Sequence, residues 1–187
     1  LAVGLIVAGC APGAMSSNVM SYIAKADTAY SVSLTTVSTL LCPILTPLLT
    51  KLLAGSLLPV SFMAMFRDIL WMVIVPLGAG FAVRYFFYNA VEKVKEIFPA
   101  ISVTFIIFIC SYVIAGNQER IMQLSGSVLA VVILLNLWGM TAGYQTGRLF
   151  GMPLRQRRTL SIEIGMQNAG LGTALALEHF GNSAAIP

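Results

Sequence analysis

Residues 159–181 read TLSIEIGMQNAGLGTALALEHFG. The stretch is long enough to cross a membrane, since about 20 mostly apolar helical residues span roughly 30 Å of hydrocarbon. Its middle nevertheless carries Glu163, Gln167 and Asn168 among Gly165, Gly170 and Gly172. An ionised carboxylate at membrane depth costs about 2.5 to 3.5 kcal/mol, so such a residue is kept for a partner or a function.

The rest of the chain supports a membrane setting. Of 187 residues, 58% are hydrophobic and 10% charged, with a mean hydropathy of +0.87, where soluble domains carry about 25% charged residues. The expected fold is all-α and integral to the membrane, a polytopic helical bundle of six apolar stretches with no soluble domain. Leu1 opens inside an apolar run and residues 182–187 begin another segment, so the chain is expected to be a fragment of a longer transporter domain; the missing signal-peptide pattern then decides nothing. The net charge of +4 is confined to loops, and nothing points to nucleic acid or to an obligate protein partner. Cys10, Cys42 and Cys110 fall singly in three segments and read as small buried hydrophobes. His179, the only histidine, reads as solvated or interfacial.

Segment A, residues 1–24, is interrupted by Ala11-Pro12-Gly13 and then Ser16-Ser17-Asn18. Proline removes a helical donor and Ser/Asn favour helix starts, so a break and restart inside the membrane is expected. Segment B, residues 29–53, places Ser31, Thr35 and Ser38 or Thr39 on one helical face, with Pro43 and Pro47 suggesting a kink. A packing face between membrane helices is the plainer alternative for those hydroxyls. Segments C (66–88) and D (99–115) lack ionisable groups inside and read as lipid-facing or scaffold helices, joined by a short interfacial helix over 89–98. Segment E, 128–150, carries Asn136, expected to bond a neighbouring helix, with ligand binding as the alternative, beside Gly139, Ala142, Gly143 and Gly147. Segment F is the opening stretch.

Lys25, Arg84, Lys93, Lys95, Arg148, Arg155, Arg157 and Arg158 lie in the loops after A, C and E, against Lys51, Arg67 and Arg120 in the others. The positive-inside rule places the first group in the cytoplasm. The broken segments A and F are then five spans apart and cross in opposite directions. Paired broken helices in inverted halves mark the midplane binding site of secondary transporters.

If A and F cross where they unwind, Ser17, Asn18, Glu163 and Gln167 converge beside the hydroxyl face of B. Glu163 and Gln167, at i and i+4, are expected on one side of a helix. Carboxylate, amide, hydroxyl and free carbonyl oxygens without His or Cys suit a small hard cation, with Na⁺ the natural candidate. A proton on Glu163 would also offset its charge, so sodium and proton coupling both stay open, as does a structural hydrogen bond across the bundle.

The run Glu163 to Leu171, EIGMQNAGL, resembles the EVGMQNSGLA-type signature of the bile acid:sodium symporter family; Pro12 to Met20, PGAMSSNVM, resembles its PGGTASNVM-type break; and Ser31 to Pro47 is similar to the helix that follows. The resemblance implies a ten-helix protein of two inverted five-helix repeats, of which this chain would be helices four to nine. Residues 1–53 and 121–187 would belong to a core domain and 63–118 to a panel domain. It also implies two sodium ions. One would be held by Ser17, Asn18, Ser31, Thr35 and Glu163, the other by Gln167 and backbone carbonyls near Ile164 and Met166, with a glutamine from an absent helix. Where the family motif has a second glycine and a threonine, this chain has Ala14 and Met15 near the expected substrate cavity; Met15 and Asn168 are the candidate substrate contacts.

The expected function is sodium-coupled symport of an organic anion, a bile acid or a smaller carboxylate, by alternating access in a bilayer, with the bacterial inner membrane as the expected location. A proton-coupled or facilitative organic-acid permease is the alternative. An intramembrane hydrolase using Glu163 lacks an HExxH, a second carboxylate or His, and a GxSxG nucleophile.

Overall fold

The computed structural model describes residues 2–57, 59–94, 97–116 and 118–180. Lys95, residues 181–187 and the side chains of Cys110 and Arg120 lie outside the described part. Segment A is two helices, α1 (Ala2–Cys10) and α2 (Ser16–Ile23), separated by residues 11–15. Segment F is also two, α9 (Leu154–Gly165) and α10 (Ala169–Phe180). Between them run α3 (Thr28–Ala54), α4 (Phe62–Ile69), α5 (Val75–Phe86), α6 (Tyr88–Val94), α7 (Phe98–Gly116) and α8 (Gln118–Leu149).

Local chemistry explains most boundaries. Asp27 caps α3, its Oδ1 accepting the Tyr30 N–H at 3.1 Å, and Ser61 caps α4 through the Ala64 N–H at 3.4 Å. α3 continues past Pro43 and Pro47, both buried, so the expected kink produces no interruption. Residues 70–74 form a π-helical turn between α4 and α5, unforeseen from sequence; Pro76 lacks the N–H that would close an α-turn on residue 72. α6 covers the first part of the expected interfacial helix. α8 starts at Gln118, ten residues before the 128 expected for segment E: Glu119 in its first turn suits the helix dipole, and no strong breaker intervenes.

Three unbroken helical stretches among the described residues, 28–54, 62–86 and 128–149, are long and apolar enough to cross a membrane. The buried core lies where α1, α3, α4 and α10 meet: Val3 and Val7, Cys42 and Ala54, Met65 and Ile69, and Leu171, Leu175 and Phe180. Met65 and Ile69 are fully buried, so segment C is a scaffold helix in its first half, and not merely lipid-facing. Cys10 and Cys42 are buried free thiols, as expected.

Of the two readings of His179, solvated or interfacial, the structure removes the first. Its side chain is 13% exposed and its Nε2 lies 3.3 Å from Asp68 Oδ2 on α4, because α10 turns its last residues onto the α4 surface. Asn136 departs from its expected bond: among the described residues its side chain bonds no neighbouring helix, and it lines a cavity of about 360 Å³ with Ser16, Gln167 and Thr173.

The path of α9 is set by α8. Gly151, at φ +66°, supplies the left-handed turn after α8, and α9 runs back along the stripe Gly139, Gly143 and Gly147, all buried. A Cβ on Gly139 would lie 2.7 Å from Ile164 O, and one on Gly143 within 2.9 Å of the Leu160 carbonyl carbon and of Ser161 Cα. Backbone meets backbone, the close approach that small residues allow between membrane helices. Gly143→Leu should therefore separate α8 from α9 and lower the thermal midpoint of the detergent-extracted protein, at an overpacking cost of about 1 to 3 kcal/mol or more; an unchanged midpoint would show the approach to be dispensable.

Candidate functional site

The two breaks meet. Ala14 N–H donates to Met166 O at 2.9 Å and Asn168 N–H to Pro12 O at 2.8 Å, so Gly13 and Gln167 form a single antiparallel bridge. Each unwound segment satisfies backbone groups of the other, which is what backbone at membrane depth requires.

Glu163 sits in the last turn of α9, 7% exposed. Its Oε1 accepts from Ser17 Oγ at 2.5 Å, Ser31 Oγ at 2.5 Å and Thr35 Oγ1 at 3.0 Å. Its Oε2 is 3.1 Å from Thr35 Oγ1, and Glu163 lines a cavity of about 350 Å³ with Gly13, Ser38, Cys42, Thr46 and Gln167. Thr35 Oγ1 is also 3.3 Å from Asn18 Oδ1. Ser17, Ser31 and Thr35 are buried, whereas Ser33 and Thr36 face outward and bond their own helix at Ala29 O and Val32 O.

Acceptors outnumber donors in this cluster. The hydroxyls of Ser17, Ser31 and Thr35 have one proton each. Within reach are both Glu163 oxygens, Asn18 Oδ1, Ala14 O (2.6 Å from Ser17 Oγ) and Ser31 O (3.0 Å from Thr35 Oγ1). Among the described residues no ion pair involves Glu163, and the negative end of the α9 dipole lies beside it. A small cation would supply the positive charge such an oxygen-rich site lacks, and the all-oxygen donor set suits a hard alkali ion.

Ser17, Ser31, Thr35 and Glu163 are thus brought into direct contact, and Asn18 joins through Thr35. Gln167 does not share a helical face with Glu163, because α9 ends at Gly165 and the chain turns extended at Met166, with φ −119° and ψ 99°. Its Nε2 donates to Ile164 O at 2.8 Å, while Met166 O is engaged by Ala14. Asn168 is the cap of α10, its Oδ1 accepting the Leu171 N–H at 3.1 Å. Met15 is 66% exposed beside the crossing. Sequence reasoning misses Gly13, where an added Cβ would lie 2.7 Å from Glu163 Oε2, and Thr159, fully buried one turn before Glu163; the i, i+4 spacing could have flagged the latter.

Two half-helices on each side of a paired break, with a buried carboxylate in a hydroxyl cage at the crossing, make this an integral membrane protein of a helical transporter family. The sequence pattern of the Sodium Bile acid symporter family matches residues 1–124, and the chain belongs to that family. It is 44% identical over its whole length to a protein named uncharacterized sodium-dependent transporter YocS of Bacillus subtilis (strain 168), covering 58% of that protein. Over 97% of its length it is 38% identical to the probable sodium/metabolite cotransporter BASS1, chloroplastic, of Arabidopsis thaliana, covering 45% of it. Over 93% it is 30% identical to sodium/bile acid cotransporter 4 of Rattus norvegicus, covering 41% of it. The chain therefore spans about half the length of these relatives, and they are named as transporters or cotransporters, not as enzymes.

Proposed function

We propose that the full-length protein is a sodium-coupled symporter that imports an organic anion, a bile acid or a smaller carboxylate, by alternating access. The observation that carries this is the Glu163 carboxylate held by Ser17, Ser31 and Thr35 where the two broken helices cross. Ser17, Asn18, Ser31, Thr35 and Glu163 hold one sodium ion. Gln167, whose Nε2 is occupied by Ile164 O, offers its Oε1 with the Ile164 and Met166 carbonyls to a second. Met15 and Asn168 stand where the anion meets the crossing.

Sodium drives transport because it draws α2, α3 and α9 together, and an ion shifts a conformational equilibrium only by its difference in affinity for the two states. Residues 1–53 and 121–187 form the moving core and residues 63–118 the panel against which it rocks. The loops after segments A, C and E face the cytoplasm.

The test is uptake into proteoliposomes bearing the full-length protein, with a bile acid and a set of small carboxylates as probes. Accumulation is expected with an inward sodium gradient and is lost when choline or lithium replaces sodium. Uptake indifferent to that exchange and driven by a pH gradient would replace the sodium reading with proton coupling at Glu163.

A further inference from the structure

The cage around Glu163 takes its oxygens from two independent pieces of chain, the α2–α3 hairpin and α9, so something must hold their relative depth. The hairpin turn is itself a poor anchor, since Lys25 within it has φ 51°, a conformation L-residues seldom adopt. What ties it down is a row of α9 side chains one helical turn apart. Arg155, Thr159 and Glu163 are at i, i+4 and i+8 and meet Ala26, Asp27 and Ser31 in the same order.

Thr159 is the middle rung, and its side chain is fully buried. Its Oγ1 accepts the Asp27 N–H at 2.9 Å, and its own proton has Asp27 O at 3.0 Å and Arg155 O at 3.2 Å as acceptors. Asp27 O is the first helical acceptor of α3, and the N–H it receives, at 3.0 Å, is that of Ser31. Ser31 in turn gives its hydroxyl to Glu163. The ring Thr159, Asp27, Ser31, Glu163 therefore closes on one turn of α3 and one turn of α9. Sliding either helix along the other breaks both rungs together. Arg155 adds an outer tie, Nη2 to Ala26 O at 3.2 Å.

We propose that Thr159 is a positioning residue for the cation site: by holding the peptide of Asp27 it sets the register at which Ser17, Ser31 and Thr35 reach the Glu163 carboxylate. The inference rests on the cation-site reading above. Thr159 does not touch the ion, and it acts by sparing the ion the work of aligning the hairpin with α9, a form of preorganisation.

The experiment is a sodium titration of thermal stability in the purified full-length protein, with choline holding ionic strength, since a ligand bound to the folded state raises stability by mass action. Thr159→Val, which keeps shape and removes both hydrogen bonds, is expected to raise the half-saturating sodium concentration about tenfold, as loss of one to two buried hydrogen bonds implies. Thr159→Ser is expected to restore it, because the hydroxyl is what acts. A Thr159→Val protein whose midpoint drops equally at every sodium concentration, with half-saturation unchanged, makes Thr159 purely structural and overturns the inference alone. Should Thr159→Val fail to fold, Arg155→Ala, at an exposed residue, decides: a smaller shift in half-saturation supports the register mechanism, and none overturns it. A wild-type protein without any sodium response overturns the cation reading and this inference with it.

Discussion

Replacing Glu163 with alanine in the full-length protein is expected to abolish sodium-dependent thermal stabilisation and to lower sodium-driven uptake about a hundredfold or more. Among the described residues the side chain is the only carboxylate in the cage, and Ser17, Ser31 and Thr35 all direct hydroxyls at it. Hydrogen bonds to a charged group contribute about 1.5 to 3 kcal/mol each, and about 1.4 kcal/mol is a factor of ten in affinity, so losing the cage centre exceeds two decades. Truncation also takes from the buried Ser31 hydroxyl its acceptor, whereas Ser17 and Thr35 keep Ala14 O and Ser31 O, so a folding defect must be separated from a binding defect. Glu163→Gln does so, because it keeps the volume and removes the charge. A folded Gln variant without a sodium response supports the cation site; one that still responds to sodium as the wild type does would remove Glu163 from it. Failure of both variants to fold, with wild-type protein indifferent to sodium, would make the carboxylate a structural bond across the bundle.

Gly13→Ala carries the second large effect. An added Cβ would lie 2.7 Å from Glu163 Oε2, with Ser38 Oγ at 3.7 Å and Glu163 O at 3.9 Å. Only the carboxylate oxygen is closer than ordinary van der Waals contact, so the clash falls on Oε2. The break cannot retreat, since Ala14 and Pro12 on either side are bonded to Met166 and Asn168, so the carboxylate is what moves. Overpacking of this kind costs about 1 to 3 kcal/mol, drawn from the ion site, and a rise of about tenfold or more in half-saturating sodium is expected. The titration that reads Thr159→Val reads this variant as well. Unchanged sodium dependence would mean that Oε2 takes no part in binding the ion.

Much of the arrangement is legible in the sequence. Pro12 and the glycines at 165, 170 and 172 announce that two membrane segments break, since a missing donor and a loosened backbone act within a few residues of themselves. The face of Ser31 and Thr35 follows from helical period alone. Gln167 departs from its expected face for a related reason: a period holds only while the helix lasts, and α9 ends at Gly165, two residues too soon. The π-helical turn at 70–74 and the early start of α8 depend on how one proline and one acidic first turn resolve, where several outcomes lie within about 1 kcal/mol of local propensity. His179 reads as solvated or interfacial because nothing local reveals that Asp68, on another helix, lies against it.

The sequence by itself determined the membrane setting, the two breaks and the types of oxygen available to an ion, because composition, proline and period act locally. Only the tertiary structure decided which oxygens share a site. That required the antiparallel pairing of the breaks at Gly13 and Gln167 and the close run of α9 along Gly139, Gly143 and Gly147. It also required the register tie from Thr159 to Asp27. Each joins residues ten or more positions apart, and which of the many distant pairs meet is settled by packing the whole bundle at once, not by any stretch of it.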